Sequence, residues 1–247
     1  MTLPMRVPAG FRIIAHRGAS AYAPENTAAS FRLAHEIAVR EVETDAQLSA
    51  DGVVVLCHDR DLERYGHGAL VVEEMTWSEL RVLDMGSWFS PHLYGGERMW
   101  CLDDLFEAYG DRFIYHVELK GASALLAPTV HDCVVRHGLA EHCIVTSFRY
   151  DALSAMRAVD GDARLGWLVE EITEETLVGA RSLQLFQLCP RAAKLSEPQV
   201  AQARQVTPEV RAWGLSGNRS DVQDLMRNIL DAGCDGTTID WPDWLTV

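Results

Sequence analysis

Six cysteines occur, Cys57, Cys101, Cys133, Cys143, Cys189 and Cys234, but none forms a Cys-x-x-Cys pair or a zinc-finger spacing. A dithiol redox motif and a structural zinc knot are thereby excluded, and reduced, buried thiols are expected. No run approaches the roughly 18 apolar residues of a membrane span. Met1 to Arg12 holds Pro4 and Pro8 and has no apolar h-region, so no secretory leader is expected. Basic residues are few: 22 Lys and Arg face 36 Asp and Glu, for a formal net charge of -14. No basic stripe exists to displace counterions, so nucleic acid and anionic membrane surfaces are disfavoured as partners, and stable membrane insertion is not expected. A small anionic substrate stays compatible with this balance if a bound cation makes the site locally positive. The expected setting is cytoplasmic, and the oligomeric state is left open.

The 247 residues are 48% apolar and 23% charged. That length suits one α/β barrel, and a core of this size needs no disulfide. Short apolar runs alternate with amphipathic ones, the signature of βα units and a parallel sheet. Strands are expected at Phe11–Ala15, Glu41–Gln47, Phe113–Leu119, Cys143–Ser147, Ala163–Val169, Leu183–Leu188, Val210–Leu215 and Gly236–Asp240. Helices are expected over Thr27–Val39, Leu102–Tyr109, Ser123–His137, Asp151–Val159, Glu174–Ala180, Pro198–Arg204 and Ser220–Ala232. A turn at Asp51-Gly52 leads into a short extra strand, Val53–Cys57. The segment 60–100 breaks the rhythm and reads as an insertion. Its one helix-like piece is Thr76–Leu83, where Thr76 and Glu79 form a capping-box pattern. Eight strands with seven following helices predict a TIM (β/α)8 barrel, a single domain over 1–247 with a small insertion after the second strand. The rival open doubly wound sheet lacks its G-x-G-x-x-G after the first strand.

In such a barrel, functional groups sit where strands end and βα loops begin. His16-Arg17-Gly18 ends the first strand. Glu43 and Asp45 lie two apart on the second, so both face one side. His58-Asp59 ends the short strand, and Glu118 and Lys120 end the third. Clustered carboxylates repel unless they share a cation, and oxygen ligands favour a hard ion. Glu43, Asp45 and Glu118 are therefore the candidate ligands of one divalent ion, Mg²⁺ or Ca²⁺, with Mn²⁺ as a further choice. Arg17 offers a planar fork and Lys120 a point charge for phosphate oxygens. His16 and His58 suit a general acid and base pair, because their ordinary pKa lies near neutrality.

With these blocks in view, the sequence resembles the glycerophosphodiester phosphodiesterase family. The resemblance is carried by His16-Arg17-Gly18, Pro24-Glu25-Asn26-Thr27, Glu43-Thr44-Asp45, Asp51-Gly52 and Val55-Leu56-Cys57-His58-Asp59. It continues in Val117-Glu118-Leu119-Lys120, Ser147-Phe148, Trp213 and Thr238-Ile239-Asp240-Trp241-Pro242. It implies a TIM barrel with an insertion after the second strand, and hydrolysis of a glycerophosphodiester to glycerol 3-phosphate and an alcohol. It implies His16 and His58 as acid and base, a metal on Glu43, Asp45 and Glu118, and phosphate contacts from Arg17 and Lys120. Trp213 is assigned to substrate binding, packing over the glycerol backbone, with a plain core tryptophan as the alternative reading. Gln187 and Trp167, near expected strand ends, are weaker pocket candidates. Asn26 or Thr27 is expected to cap the first helix.

Three departures from the family pattern stand out. Trp213 is followed by Gly214-Leu215-Ser216-Gly217 before Asn218 is reached, the helix after the eighth strand is cut short, and His116 precedes the Glu118 block. Two other functions fit the same motifs: a phospholipase D-like lysophospholipid cyclase, for which Trp88-Phe89 would be a membrane-docking pair, and a non-catalytic binding protein.

Overall fold

Eight parallel strands close on themselves in the computed structural model, which describes residues 3–215 and 218–247. The expectations touching Met1, Thr2, Ser216 and Gly217 lie outside those residues. The barrel strands are β1 (Arg12–Ala15), β2 (Glu41–Leu48), β3 (Ile114–Leu119), β4 (Cys143–Ser147), β5 (Leu165–Val169), β6 (Gln187–Pro190), β7 (Glu209–Ala212) and β8 (Gly236–Ile239). Each pairs in parallel with the next, and β8 returns to β1 to seal the ring. Seven helices cross over between them: α1 (Ala28–Glu36), α2 (Leu102–Tyr109), α3 (Leu126–Arg136), α4 (Tyr150–Val159), α5 (Glu174–Ser182), α6 (Glu197–Ala203) and α7 (Arg219–Asp231). Their apolar faces cover the sheet and form one continuous buried core with it.

The fold class is as expected, and the differences lie at element ends. α1 stops at Glu36, three residues early, because Ala38 turns left-handed at φ +64°. The sixth strand is the largest shift. Leu183 closes α5, and Gln184 adopts φ +47°, so the extended run begins only at Gln187. After β8 the chain makes a single 3₁₀ turn, Pro242–Trp244. Leu245–Thr246 then pairs in parallel with Met5–Arg6, so a strand contact takes the place of an eighth helix.

Between β2 and α2 the chain leaves the barrel. The short strand Val54–Leu56 runs antiparallel to β2, and Cys57 donates its N–H to the Asp45 carbonyl at 3.0 Å. Beyond it, Leu62, Tyr65, Val72, Leu80, Met85 and Met99 bury one another in a small cluster of their own. Two single-turn helices, Trp77–Leu80 and Pro91–Tyr94, decorate it. Glu79 accepts from the Thr76 N–H at 2.8 Å, the capping contact read from the sequence. Trp88 packs edge-on against Tyr65 and Phe89, and its indole donates to the Met85 carbonyl, so this pair is occupied within the insertion. Among the described residues, no helix is long and apolar enough to cross a membrane.

Candidate active site

The register of β2 and β3 places Asp45 directly beside Glu118, and Glu43 beside His116. Alternation then turns Glu43, Asp45 and Glu118 into the barrel together. One carboxylate oxygen from each lies within 4.8 Å of the others, and all three residues are buried. Glu43 Oε1 and Asp45 Oδ1 have no hydrogen-bond partner among the described residues. Buried carboxyl oxygens left without partners are costly, and sharing a doubly charged ion would satisfy them. The donor set, all oxygen, fits a hard divalent cation.

Two basic side chains hold these acids in place. Arg17 contacts Asp45 Oδ2 at 2.9 Å and Glu25 at 2.9 Å, and its backbone N–H donates to Glu43 at 3.1 Å. Lys120 lies 3.0 Å from Glu118 and 3.7 Å from Asp45. Burial raises the carboxyl of Glu43, with Asp45 and Glu118 adding to it, and pushes it up to about 8. Burial likewise raises Glu118. Asp45 ends below its ordinary value, because Arg17 and Lys120 outweigh its burial.

The two histidines are each tied by Nδ1 to a carboxylate. His16 donates to Asp240 Oδ1 at 2.6 Å, and its Nε2 lies 3.8 Å from Glu43. His58 donates to Asp59 Oδ1 at 2.6 Å. Both rings line one cavity of about 300 Å³, together with Arg17, Glu43, Glu118 and Lys120. Burial and Arg17 oppose charge on His16, but the Asp240 hydrogen bond and the Glu43 and Asp240 charges prevail, so its pKa is raised. Burial dominates for His58, with Arg17 and Lys120 assisting against Asp45, and its pKa is lowered. The two rings are thus pushed in opposite directions, the pattern that separates an acid from a base.

Trp213 lines the same cavity, edge-on to Phe148 at 4.8 Å, with Arg191 lying over its ring at 5.4 Å. Its indole donates to the Val169 carbonyl at 3.1 Å, which fixes the ring. Gln187 and Trp167 do not line the cavity. The late start of β6 puts Gln187 at the strand's opposite end, where it donates to Glu209 at 2.8 Å, and Trp167 packs on Tyr150. His116 does face the barrel interior, buried against Glu41 at 2.8 Å. Thr27 is the cap of α1. Asn26 instead sits left-handed at φ +56° and donates to Asp45 Oδ2 at 2.9 Å. Asn218 caps α7 and stands apart from the cavity lining.

Several contributors were not assigned roles from sequence. Asp240 and Asp59 orient the histidines. Arg64, from the insertion, bridges Asp59 at 2.6 Å and Glu25 at 2.6 Å, and so links His58 to the partner of Arg17. Asp59 immediately follows its histidine and Asp240 immediately follows the eighth strand, so position alone was a signal for both. Arg64 has none, since its contacts span loops.

The site can be compared with known proteins. Residues 16–244 match the glycerophosphoryl diester phosphodiesterase family. A glycerophosphodiester phosphodiesterase of Caldanaerobacter subterraneus subsp. tengcongensis is 28% identical, over 94% of this chain and 95% of its own. One from Bacillus subtilis is 25% identical, over 93% and 83%. Among solved structures, an Oleispira antarctica phosphodiesterase in complex with the product sn-glycerol-3-phosphate superposes with a TM-score of 0.83 at 28% identity, covering 94% of both chains. A glycerophosphodiester phosphodiesterase from Agrobacterium tumefaciens gives 0.81 at 27% identity, covering 95% and 98%.

Proposed function

The chain belongs to the glycerophosphoryl diester phosphodiesterase family, and from that premise we propose that it hydrolyses glycerophosphodiesters to glycerol 3-phosphate and an alcohol, using a divalent cation and the pair His16 and His58. The supporting observation is the convergence of three buried carboxylates within 4.8 Å, two of them lining a cavity that two carboxylate-tied histidines also line. The reading takes the whole chain as one barrel domain with the 60–100 segment as its insertion. Six buried, unpaired cysteines support a reducing, cytoplasmic setting.

Glu43, Asp45 and Glu118 would hold the cation, Mg²⁺ or Ca²⁺ with Mn²⁺ as a further choice. When bound, it would polarise a phosphoryl oxygen and offset the negative charge that builds up in the transition state. Arg17 and Lys120 add positive charge at the same rim and orient the phosphate. His16, whose pKa Asp240 helps to raise, delivers its proton from Nε2 to the leaving alkoxide oxygen. His58, whose pKa burial lowers, takes the proton of the attacking oxygen on Nε2. The attached carboxylates fix each ring's tautomer, because Nδ1 must carry the hydrogen that Asp240 or Asp59 accepts. Trp213, locked by its indole bond, offers an apolar wall to the glycerol carbons.

Turnover of glycerophosphocholine, glycerophosphoethanolamine and glycerophosphoglycerol, measured with Mg²⁺, Mn²⁺ and Ca²⁺ in turn, tests this reading. Each single replacement, His16→Ala and His58→Ala, should lower kcat by roughly 10² to 10⁴, and EDTA should abolish activity. Undiminished hydrolysis in both variants would refute the assignment. Phosphorus NMR of the products separates hydrolysis from cyclisation: an accumulating cyclic phosphate would favour the cyclase.

A further inference from the structure

Arg211, on β7, is the largest of the fully buried side chains, with 1% of its surface exposed. It nevertheless lines the substrate cavity, beside Thr146 and Thr238. Its Nη1 donates to Thr238 Oγ1. The guanidinium also interacts with the buried Cys189 thiol on β6, but its Nε and Nη2 are buried and make no hydrogen bond of good geometry among the described residues, and neither does Thr146 Oγ1. No carboxylate among the described residues lies within ion-pair distance of this guanidinium. The other cations of the cavity are all engaged: Arg17 with Glu25 and Asp45, Lys120 with Glu118, and Arg191 with Glu170. Deeper in the barrel, Arg12 takes both Glu41 and Glu209 at 2.6 Å, and Glu209 also receives Gln187. Arg211 therefore carries a buried charge without a counter-charge, an arrangement that costs stability unless an anion completes it.

The two free nitrogens are also the pair that matters geometrically. Nε and Nη2 form the side-on edge of the guanidinium, the fork that grips two oxygens of a carboxylate or phosphate at once. Thr238 anchors the opposite corner and so fixes the plane of the fork. Thr146 stands beside Glu118 in the strand register, which puts this polar floor next to the carboxylates of the reaction centre.

We propose that Arg211 is an oxyanion-binding residue of the substrate cavity, gripping through Nε and Nη2 an acidic group on the half of the substrate that enters the barrel. This rests on the phosphodiesterase reading and extends it. The oxyanion has two chemical sources: the reacting phosphate itself, or a second acid, such as a carboxylate, on the inner alcohol in place of a glycerol hydroxymethyl group.

Calorimetric titration of the Mg²⁺-loaded protein with inorganic phosphate, glycerol 3-phosphate and 3-phosphoglycerate tests the proposal and distinguishes the sources. Arg211→Met keeps length and removes charge; Arg211→Lys keeps charge and removes the fork. An equal loss of about 10-fold or more for all three probes in Arg211→Met, the scale of a charge-assisted hydrogen bond, assigns the fork to the reacting phosphate. A loss confined to 3-phosphoglycerate assigns it to a second acid. In either case Arg211→Lys should recover only part of the affinity. Melting temperatures without anion check that both variants are folded, and Arg211→Met should melt no lower than the wild type, since it deletes an uncompensated charge. Binding of all three probes within two-fold of wild type in Arg211→Met overturns the proposal. The hydrolase reading is judged separately, by whether the wild type turns over glycerophosphodiesters at all.

Discussion

Asp240 touches no part of the carboxylate cluster, yet it decides what His16 can do. Its Oδ1 accepts from His16 Nδ1 at 2.6 Å and also from the Ser20 hydroxyl at 3.3 Å. The first contact raises the pKa of His16 against the pull of burial, and it sets which nitrogen faces the cavity. Asp240→Asn should therefore have two effects. The kcat should fall by about 10², a typical general acid-base contribution. The alkaline limb of the kcat–pH profile should also move to lower pH, because losing the carboxylate lowers the pKa of His16, the group proposed to act as the acid. A uniform loss of rate with no displacement of that limb would mean that Asp240 serves only to hold the loop.

At the scale of elements, the loop from β1 to α1 is the most constrained part of the site. Three residues in it, Arg17, Gly18 and Asn26, have positive φ. Gly18 has a second constraint: a Cβ there would stand 2.6 Å from Ser30, on the first turns of α1. Gly18→Ala should therefore destabilise the fold by about 1–3 kcal/mol, the scale of enforced backbone strain. It should lower kcat as well, since Arg17 immediately precedes it. Thermal melts and kcat on the same preparation check this, and a variant matching wild type in both would show that α1 can retreat freely.

The insertion makes a parallel case. Arg64→Leu cuts the bridge between Asp59 and Glu25 and should lower kcat about 10-fold, the scale of losing an outer-shell partner. KM should change little if the effect runs through His58. A rise in KM with kcat intact would place Arg64 with substrate binding instead.

The same elements explain what was legible in the sequence. α2 and β4 have the limits read for them, Leu102–Tyr109 and Cys143–Ser147. Each is bounded by residues whose own chemistry changes at the boundary, such as Gly110 after Tyr109. The carboxylate trio was legible because a spacing of two on a strand has one geometric consequence. β6 was misplaced because Leu183 and Leu185 are apolar whether they end a helix or begin a strand; both are buried here without lying in one. Arg64 and Arg211 acquire their roles only through contacts made across the fold.

On the scale of the whole molecule, the concentration of buried acid in a chain of net charge -14 ties global stability to pH and to the cation. The Glu43 carboxyl, pushed up to about 8 by burial and then by Asp45 and Glu118, titrates near 4.3 in the unfolded chain. Between those values the folded protein holds the extra proton, so in cation-free protein this group's contribution declines as pH rises from roughly 4.3 to about 8. Glu118 acts in the same direction. Asp45 is shifted the opposite way, and its contribution changes only below its unfolded value near 3.9, outside this window. Cation binding requires the ionised carboxylates and releases the proton, so the cation should stabilise the fold more at pH 8.5 than at pH 6. Melting temperatures in EDTA should fall across that range, and the gap between EDTA and millimolar Mg²⁺ should widen. Glu43→Gln should make the EDTA trace shallower, because this residue no longer titrates while Glu118 and His16 still do, and should shrink the Mg²⁺ gap, because one anionic ligand is gone. A Mg²⁺ gap that is constant with pH in the wild type would mean the carboxylates are already ionised without the ion, with Arg17 and Lys120 sufficient to balance them.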